Sequence, residues 1–220
     1  MTTLPVDHLV FLVPHIDDYA DEFARVTGVA PVFGGVHAGK GTKNYLVRLD
    51  AGDGNPAYLE LLGLDDAQTY VPADATMFRV GRYGPDPRPH LTTWAIHPGN
   101  LTSITATATA RGIRVGAVEE WSRNAPDGSV LEWSVAIHPD LPLGGLQPFL
   151  IDWGTTPHPS TNPRLGTITL AGLRFEHPRP ETLARALAGL GLSDIPPIGL
   201  GLVPTIIATI DTPHGRLELR

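Results

Sequence analysis

The sequence predicts an α+β fold built from repeated strand–helix–strand–strand units, and three observations predict it. Three short apolar runs are each followed by an amphipathic helical segment of about three turns that halts at glycine. Further strand-like runs with hairpin turns follow each helix. Glycine and proline number 24 and 22 of 220 residues. That exceeds average usage but stays below the roughly 25–30% of low-complexity chains, as many short strands joined by tight turns require.

The first unit opens with a strand at 7–13 (DHLVFLV) and a helix at 16–26. Ile16, Tyr19, Ala20, Phe23 and Val26 recur at three- and four-residue steps, the period of one buried helical face. Asp17, Asp18, Asp21 and Glu22 crowd the early turns, where the helix dipole favours negative charge, and Gly28 ends the helix. Strands follow at 44–49 and 58–62, separated by the turn-rich AGDGNPA. The second unit has a strand at 91–96 and a helix at 101–110 stopped by Gly112, then strands at 116–122, 130–137 and 148–153, with a turn at 124–128. The third has a strand at 167–175, a helix at 181–190 stopped by Gly191, and strands at 205–210 and 216–219 around TPHG. Glycine in these hairpin turns supplies the positive φ that the turn needs. The helices are expected on one face of mainly antiparallel sheets, leaving the other face to curl around a pocket. Segments 64–89 and 154–163 are the loosest joints.

Composition narrows the function. Sixteen Lys+Arg against 23 Asp+Glu give a net charge of −7 without a basic run, which argues against a nucleic-acid partner. With no cysteine there is no disulfide, thiol nucleophile, thiolate zinc site or iron–sulfur cluster. No apolar stretch reaches the ~18 residues that cross a bilayer. The start MTTLPVDHLV lacks the basic and apolar regions of a signal peptide, so a cytoplasmic enzyme or binder is expected. No serine has a nucleophile-elbow context, which disfavours covalent catalysis. Residues 34–44 (GGVHAGKGTKN) nearly satisfy a phosphate-binding loop, with Gly34, Gly39 and Lys40 in place. Gly41 replaces the required Ser/Thr and a strand follows in place of a helix, so no nucleotide cofactor is expected. His37, Thr42 and Asn44 then stand either in a substrate-contacting loop or in a tight turn.

His8 shares a strand face with Val10 and Leu12, and Glu60 shares one with Tyr58 and Leu62. A carboxylate between Leu59 and Leu61 needs a partner if it is buried. If both strands belong to one sheet, His8 and Glu60 converge as two metal ligands or as an acid–base pair. The alternative is a hydrogen-bonded core histidine and an edge glutamate facing solvent. Arg123 is either a clamp for a substrate carboxylate or phosphate, or a solvated hairpin arginine. Trp133 groups with Leu131, Val135 and Ile137, and reads as core or as part of an aromatic wall for a small ligand, as do Trp94 and Trp153. His97, His138, His158 and His177 all precede proline and read as strand ends, with His138 and His158 kept as further candidates for the site.

DHLVFLV, HAGKGTKNYLVRL and AYLELLG, with the later WAI, SRNAPDG–LEW, PFLIDWG and HPS segments, resemble the glyoxalase-like branch of the vicinal oxygen chelate superfamily over residues 6–159. The resemblance implies βαβββ modules at about 1–64 and 89–159, paired so that mainly antiparallel sheets form a cupped, partly open barrel. Residues 160–220 form an additional partial module on the same domain. It implies metal ligands on the first and last strand of each module: His8 and Glu60 in the first. In the second, Leu91 or Thr92 falls opposite His8, with His90 one residue off, and Asp152 is the nearest carboxylate on the last strand. Glu60 and Asp152 are thereby candidate catalytic carboxylates, and His37, Thr42, Asn44, Arg123 and Trp133 candidate substrate contacts. The implied cofactor is one divalent metal (Zn, Fe, Mn or Ni). The implied function is an enzyme acting on a small oxygen-rich substrate as a lyase, isomerase or dioxygenase, and the alternative is a metal-free binder of the same fold. The expected partners are a small molecule and a second copy in a homodimer.

Overall fold

β1 (Val6–Leu12) is buried along its whole length, because apolar layers cover both faces of the sheet. The computed structural model describes residues 6–52, 54–124, 128 and 130–220. β1 leads into α1 (Ile16–Thr27), which buries Ile16, Ala20 and Phe23 of the face that the periodicity predicts, with Tyr19 half-buried and Val26, in the last turn, exposed. Gly28 closes α1 in the left-handed region at φ 76°, its N–H bonding the Ala24 carbonyl. β2 (Val32–His37), β3 (Thr42–Asp50) and β4 (Tyr58–Leu64) complete a βαβββ module.

β2 is a strand where the glycine density predicts only loop. A Cβ on Gly34 would lie 2.4 Å from Asn44 Oδ1, so glycine is needed there to admit the Asn44 side chain. The register also slips between Phe33 and Gly35, which marks a bulge. The two glycines therefore serve a bulged edge strand and not a phosphate.

The second module repeats the order with β5 (His90–Ile96), α2 (Leu101–Ala110), β6 (Val118–Asn124), β7 (Val130–Ala136) and β8 (Phe149–Asp152). The expected turn at 124–128 lies mostly outside the described residues. The last third has the same order, β9 (Thr167–His177), α3 (Pro180–Gly189), β10 (Ile198–Leu200), β11 (Thr205–Thr212) and β12 (Gly215–Leu219), with β10 cut to three residues. All strands join one 12-stranded, mainly antiparallel sheet of order β12-β11-β9-β3-β4-β1-β5-β8-β7-β6, with β10 on β9 and β2 on β3. The path has two ends, so the sheet curls without closing.

Alternation along the strands sorts two cores. Leu9, Phe11, Leu59, Leu61 and Trp94 pack with Phe23, Leu183 and Phe175 in the layer that includes the helices. Val10, Leu12, Tyr58, Leu62, Trp133, Val135, Phe149 and Ile151 fill the concave side. Each fully buried aliphatic or aromatic side chain contributes about 1.5–3 kcal/mol. β1 pairs with β4 of its own module and with β5 of the next, so residues on its concave face stand at the seam between the modules. Over the seam lies the segment that joins the two modules, a string of 3-10 turns ending in Met77–Tyr83. No helix among the described residues is long and apolar enough to cross a membrane.

Candidate functional site

The concave face holds a cavity of about 40 Å³, measured as the space open to the centre of a water molecule. One water needs roughly 10–15 Å³ on this measure, so a small ligand or a few waters fit. His8, His37, Asn44, Glu60, Arg123 and Trp133, from β1, β2, β3, β4, β6 and β7, all line it. His37, Met77, Trp121 and Trp133 also border a wider outer recess of about 310 Å³, where Lys40 Nζ sits 4.4 Å from the Trp121 ring centroid.

The polar groups come mainly from module one. Glu60 is only 4% exposed, held where period-2 alternation on β4 turns it inward beside Tyr58 and Leu62. Its Oε1 accepts a 2.6 Å hydrogen bond from Asn44 Nδ2. Its Oε2 stands 3.9 Å from His8 Nε2, and its Oε1 3.8 Å from His37 Nε2. The His8 ring stacks on Tyr58 at 4.5 Å between centroids and meets the Phe149 edge at 5.2 Å. Burial, with the Glu60 and Asp7 charges, pushes the Tyr58 hydroxyl well above its ordinary range, so Tyr58 stays neutral. His37 Nδ1 pairs with Thr42 Oγ1 at 2.9 Å, and Asn44 Nδ2 lies 3.3 Å from His37 Nε2. Burial, with the Arg123 cation and His8 close by, lowers the His37 pKa to about 3, so this imidazole is neutral and accepts at Nε2. Thr42 is buried behind His37 and supports the ring; it does not line the cavity.

Module two supplies the apolar wall and one cation. Trp133, Val135, Phe149, Ile151 and Trp153 face the cavity. Arg123 is 8% exposed, has no carboxylate within 4.0 Å among the described residues, and leaves Nη1 buried without a hydrogen-bond partner. Burial lowers its pKa from the usual guanidinium value, opposed by Tyr58 and Glu60. Asn44 Oδ1 is likewise buried and unpartnered. Arg123 thus brings an unpartnered cationic donor to a cavity whose other polar lining is His8, His37, Asn44 and Glu60, while Asn44 Oδ1 packs toward Gly34.

Asp152 does not line the cavity. Ile151 takes the inward place on β8, and one step along a strand turns Asp152 to the outer face, where it accepts from the Gly154 N–H at 2.9 Å. Trp94 packs in the core on the helix side, and His138 pairs with Arg114 at the surface. Glu218 is exposed, held by Arg174 and Arg220.

Sequence reasoning missed Asp7, which is buried beneath His8. Its Oδ1 lies 2.6 Å from His8 Nδ1, and its Oδ2 accepts from Trp153 Nε1 at 3.0 Å. His158 Nε2 is 3.3 Å from the same Oδ2. Burial alone would raise this carboxyl, but the imidazoles of His158 and His8 hold it well below the usual carboxylate range. The signal was a second polar residue directly beside His8 in a wholly apolar strand. Phe78 and Met77 were missed because they reach the cavity from the long joint.

These residues do not fit a chelated metal. His8 and Glu60 meet as the resemblance implies, but module two offers Phe149 and Ile151 at the cavity and adds the Arg123 cation. Among the described residues no three His, Asp or Glu side chains are placed to hold an ion.

The model of the glyoxalase-like domain family matches residues 6–191. No curated protein matches the sequence. The fold is similar to the crystal structure of a hypothetical protein from Staphylococcus aureus, at 13% identity over 98% of both chains and a TM-score of 0.70. It is also similar to a Streptomyces coelicolor methylmalonyl-CoA epimerase variant in complex with 2-nitronate-propionyl-CoA, at 17% identity, 72% of this chain, 100% of that chain and a TM-score of 0.50. A methylmalonyl-CoA epimerase in complex with methylmalonyl-CoA and NH4+ gives the same values of 17%, 72%, 100% and 0.50. With two βαβββ modules joined across β1 and β5 and a family model spanning 6–191, this chain belongs to the glyoxalase-like domain family.

Proposed function

We propose that the cup is the active site of an isomerase-type enzyme that moves a proton on a small carboxylate-bearing carbonyl compound by acid–base chemistry. The observation that carries this reading is the buried Glu60 carboxylate facing His8 Nε2 across 3.9 Å inside a cavity. That gap is too wide for a hydrogen bond and leaves both groups free to meet a substrate. Arg123 offers its unpartnered Nη1–H to the substrate carboxylate, which neutralises the buried cation. Glu60 removes the proton from the carbon beside the carbonyl, and His8 exchanges one with the oxygen or with the opposite face. Asn44, which donates to Glu60, holds that carboxylate aimed. The aromatic wall excludes water and strengthens each of these interactions. Any larger portion of the substrate lies in the outer recess beside Trp121 and Lys40.

The test is deuterium exchange. A panel of small 2-oxo and 2-methyl carboxylates is incubated with the protein in D2O, and loss of the α-proton signal is followed by NMR. At least one compound should exchange, and Glu60→Gln should slow it by about 10²–10⁴ while binding persists. The second reading, a metal-free binder, is favoured by the same unpartnered Arg123 atom. Arg123-dependent binding across the panel without exchange in any compound establishes the binder and overturns the enzyme.

A further inference from the structure

Adjacent residues in a regular strand point to opposite faces, so a side-chain contact between Asp7 and His8 requires a break in the pleat. β1 has one at that point. Val6 pairs with Ile96 and His8 with Ala95, so two steps on β1 oppose one step on β5, and Asp7 is the extra residue of a bulge. The bulge brings the Asp7 carboxylate under the His8 ring at 2.6 Å. Three ring nitrogens then surround this carboxylate: His8 Nδ1 at 2.6 Å, Trp153 Nε1 at 3.0 Å and His158 Nε2 at 3.3 Å. Exposed His97 stands further out, with Nδ1 4.0 Å from Asp7 Oδ2 and Nε2 3.7 Å from Asp152.

We infer that Asp7 is the positioning residue of the site: through the bulge it fixes His8 with Nδ1–H toward Asp7 and the Nε2 lone pair toward the cavity. An ionised carboxylate has only acceptors, so the ring nitrogen facing it must carry the proton. In a neutral imidazole the other nitrogen is then bare. That nitrogen is the one 3.9 Å from Glu60, where a substrate would stand. Trp153 Nε1 is a donor only, and its bond to Oδ2 fixes which oxygen serves which ring. The catalytic use of the bare nitrogen rests on the proposed proton transfer.

The structure also says what Asp7→Asn does. The indole N–H of Trp153 claims the amide oxygen, so the amide NH2 faces His8 and donates to Nδ1. The His8 proton moves to Nε2, and the cavity then receives a donor in place of an acceptor. The experiment is nitrogen NMR of protein labelled with 15N-histidine, with the His8 signals assigned by their loss in His8→Gln. Wild-type His8 should show a protonated-type Nδ1 and a bare, pyridine-type Nε2, and folded Asp7→Asn the reverse pattern. A bare Nδ1 in the wild type overturns the inference, as does an unchanged pattern in a folded Asp7→Asn. If that variant does not fold, the wild-type spectrum alone decides. Deuterium exchange with any active carboxylate should fall by about 10²–10⁴ in kcat in Asp7→Asn, with KM little changed. Lack of exchange in wild type alongside the expected tautomers removes the enzymatic reading and leaves the Asp7 assignment standing.

Discussion

Replacing Arg123 with methionine should make the ligand-free protein more stable while removing its affinity for carboxylates. The guanidinium is 8% exposed, and its Nη1 has no hydrogen-bond partner. A buried donor left unsatisfied costs about 1–3 kcal/mol, and more when charged. Methionine keeps much of the apolar stem in a cavity that Trp133 and Ile151 also line, without that cost. Against this stands the attraction between Arg123 and Glu60, which lie beyond ion-pair distance and share the cavity. The expected net is a gain of about 1–2 kcal/mol. For a chain of this size about 1 kcal/mol moves Tm by roughly 2–4 °C, so the melting point rises by roughly 2–8 °C. Two charge-assisted hydrogen bonds to a carboxylate contribute about 3–6 kcal/mol, so affinity falls by roughly 10²–10⁴. Urea unfolding without ligand and calorimetric titration with pyruvate and its homologues measure both quantities. A clear fall in ligand-free stability would refute the reasoning, because it would mean that the guanidinium already has its counter-charge.

Stability should drop on mild acidification through His37. Its pKa is about 3 in the folded protein against about 6.5 unfolded, so between these values the unfolded chain binds more protons and stability rises with pH. From pH 6.5 to 5 the loss is about 2 kcal/mol by urea midpoints, and His37→Gln should flatten it. Asp7 acts in a lower window: its folded pKa is depressed, so its contribution is present above about pH 4 and is lost only as pH falls through the folded value. Gly145→Ala should destabilise by about 2 kcal/mol or more on thermal unfolding, since Gly145 has φ 86° and a Cβ there would lie 1.9 Å from the Thr92 carbonyl oxygen. Trp94→Ala should cost about 3–5 kcal/mol, because the ring is fully buried and its indole N–H donates to the Leu146 carbonyl at 2.8 Å.

Periodicity made the strands and helices legible, since burial on alternate or every third and fourth position leaves a direct trace. The same alternation puts His8 beside Val10 and Glu60 beside Tyr58 and Leu62, and the structure has all of them on the concave face. β2 escaped because its glycines record a close approach by Asn44, a residue ten positions away. Asp152 fell on the wrong face because a four-residue strand, Phe149–Asp152, carries too few alternations to fix its phase. Asp7 escaped for the opposite reason. Strict alternation assigns it the face away from His8, and only the pairing with β5 reveals the bulge that brings the two together.

The two halves of the cup are chemically unlike, and that difference constrains what it can hold. β1–β4 contribute His8, His37, Asn44 and Glu60, whereas β6–β8 contribute Trp133, Val135, Phe149 and Ile151 with a single cation. A chelated ion needs at least three well-placed donors, which the described His, Asp and Glu side chains do not supply, and here one side of the seam is aromatic and aliphatic. A small organic anion needs something different: a positive group for its charge, an apolar surface for its carbon, and proton-active groups against the carbon that reacts. Arg123, the tryptophan wall and the Glu60–His8 pair meet those demands in that order. A polar bridge across the seam would close the cup on itself; instead Nη1 of Arg123 remains unsatisfied. Leaving this donor buried costs stability that a bound carboxylate returns, which is why the ligand-free stability of Arg123→Met and its affinity for carboxylates should move in opposite directions.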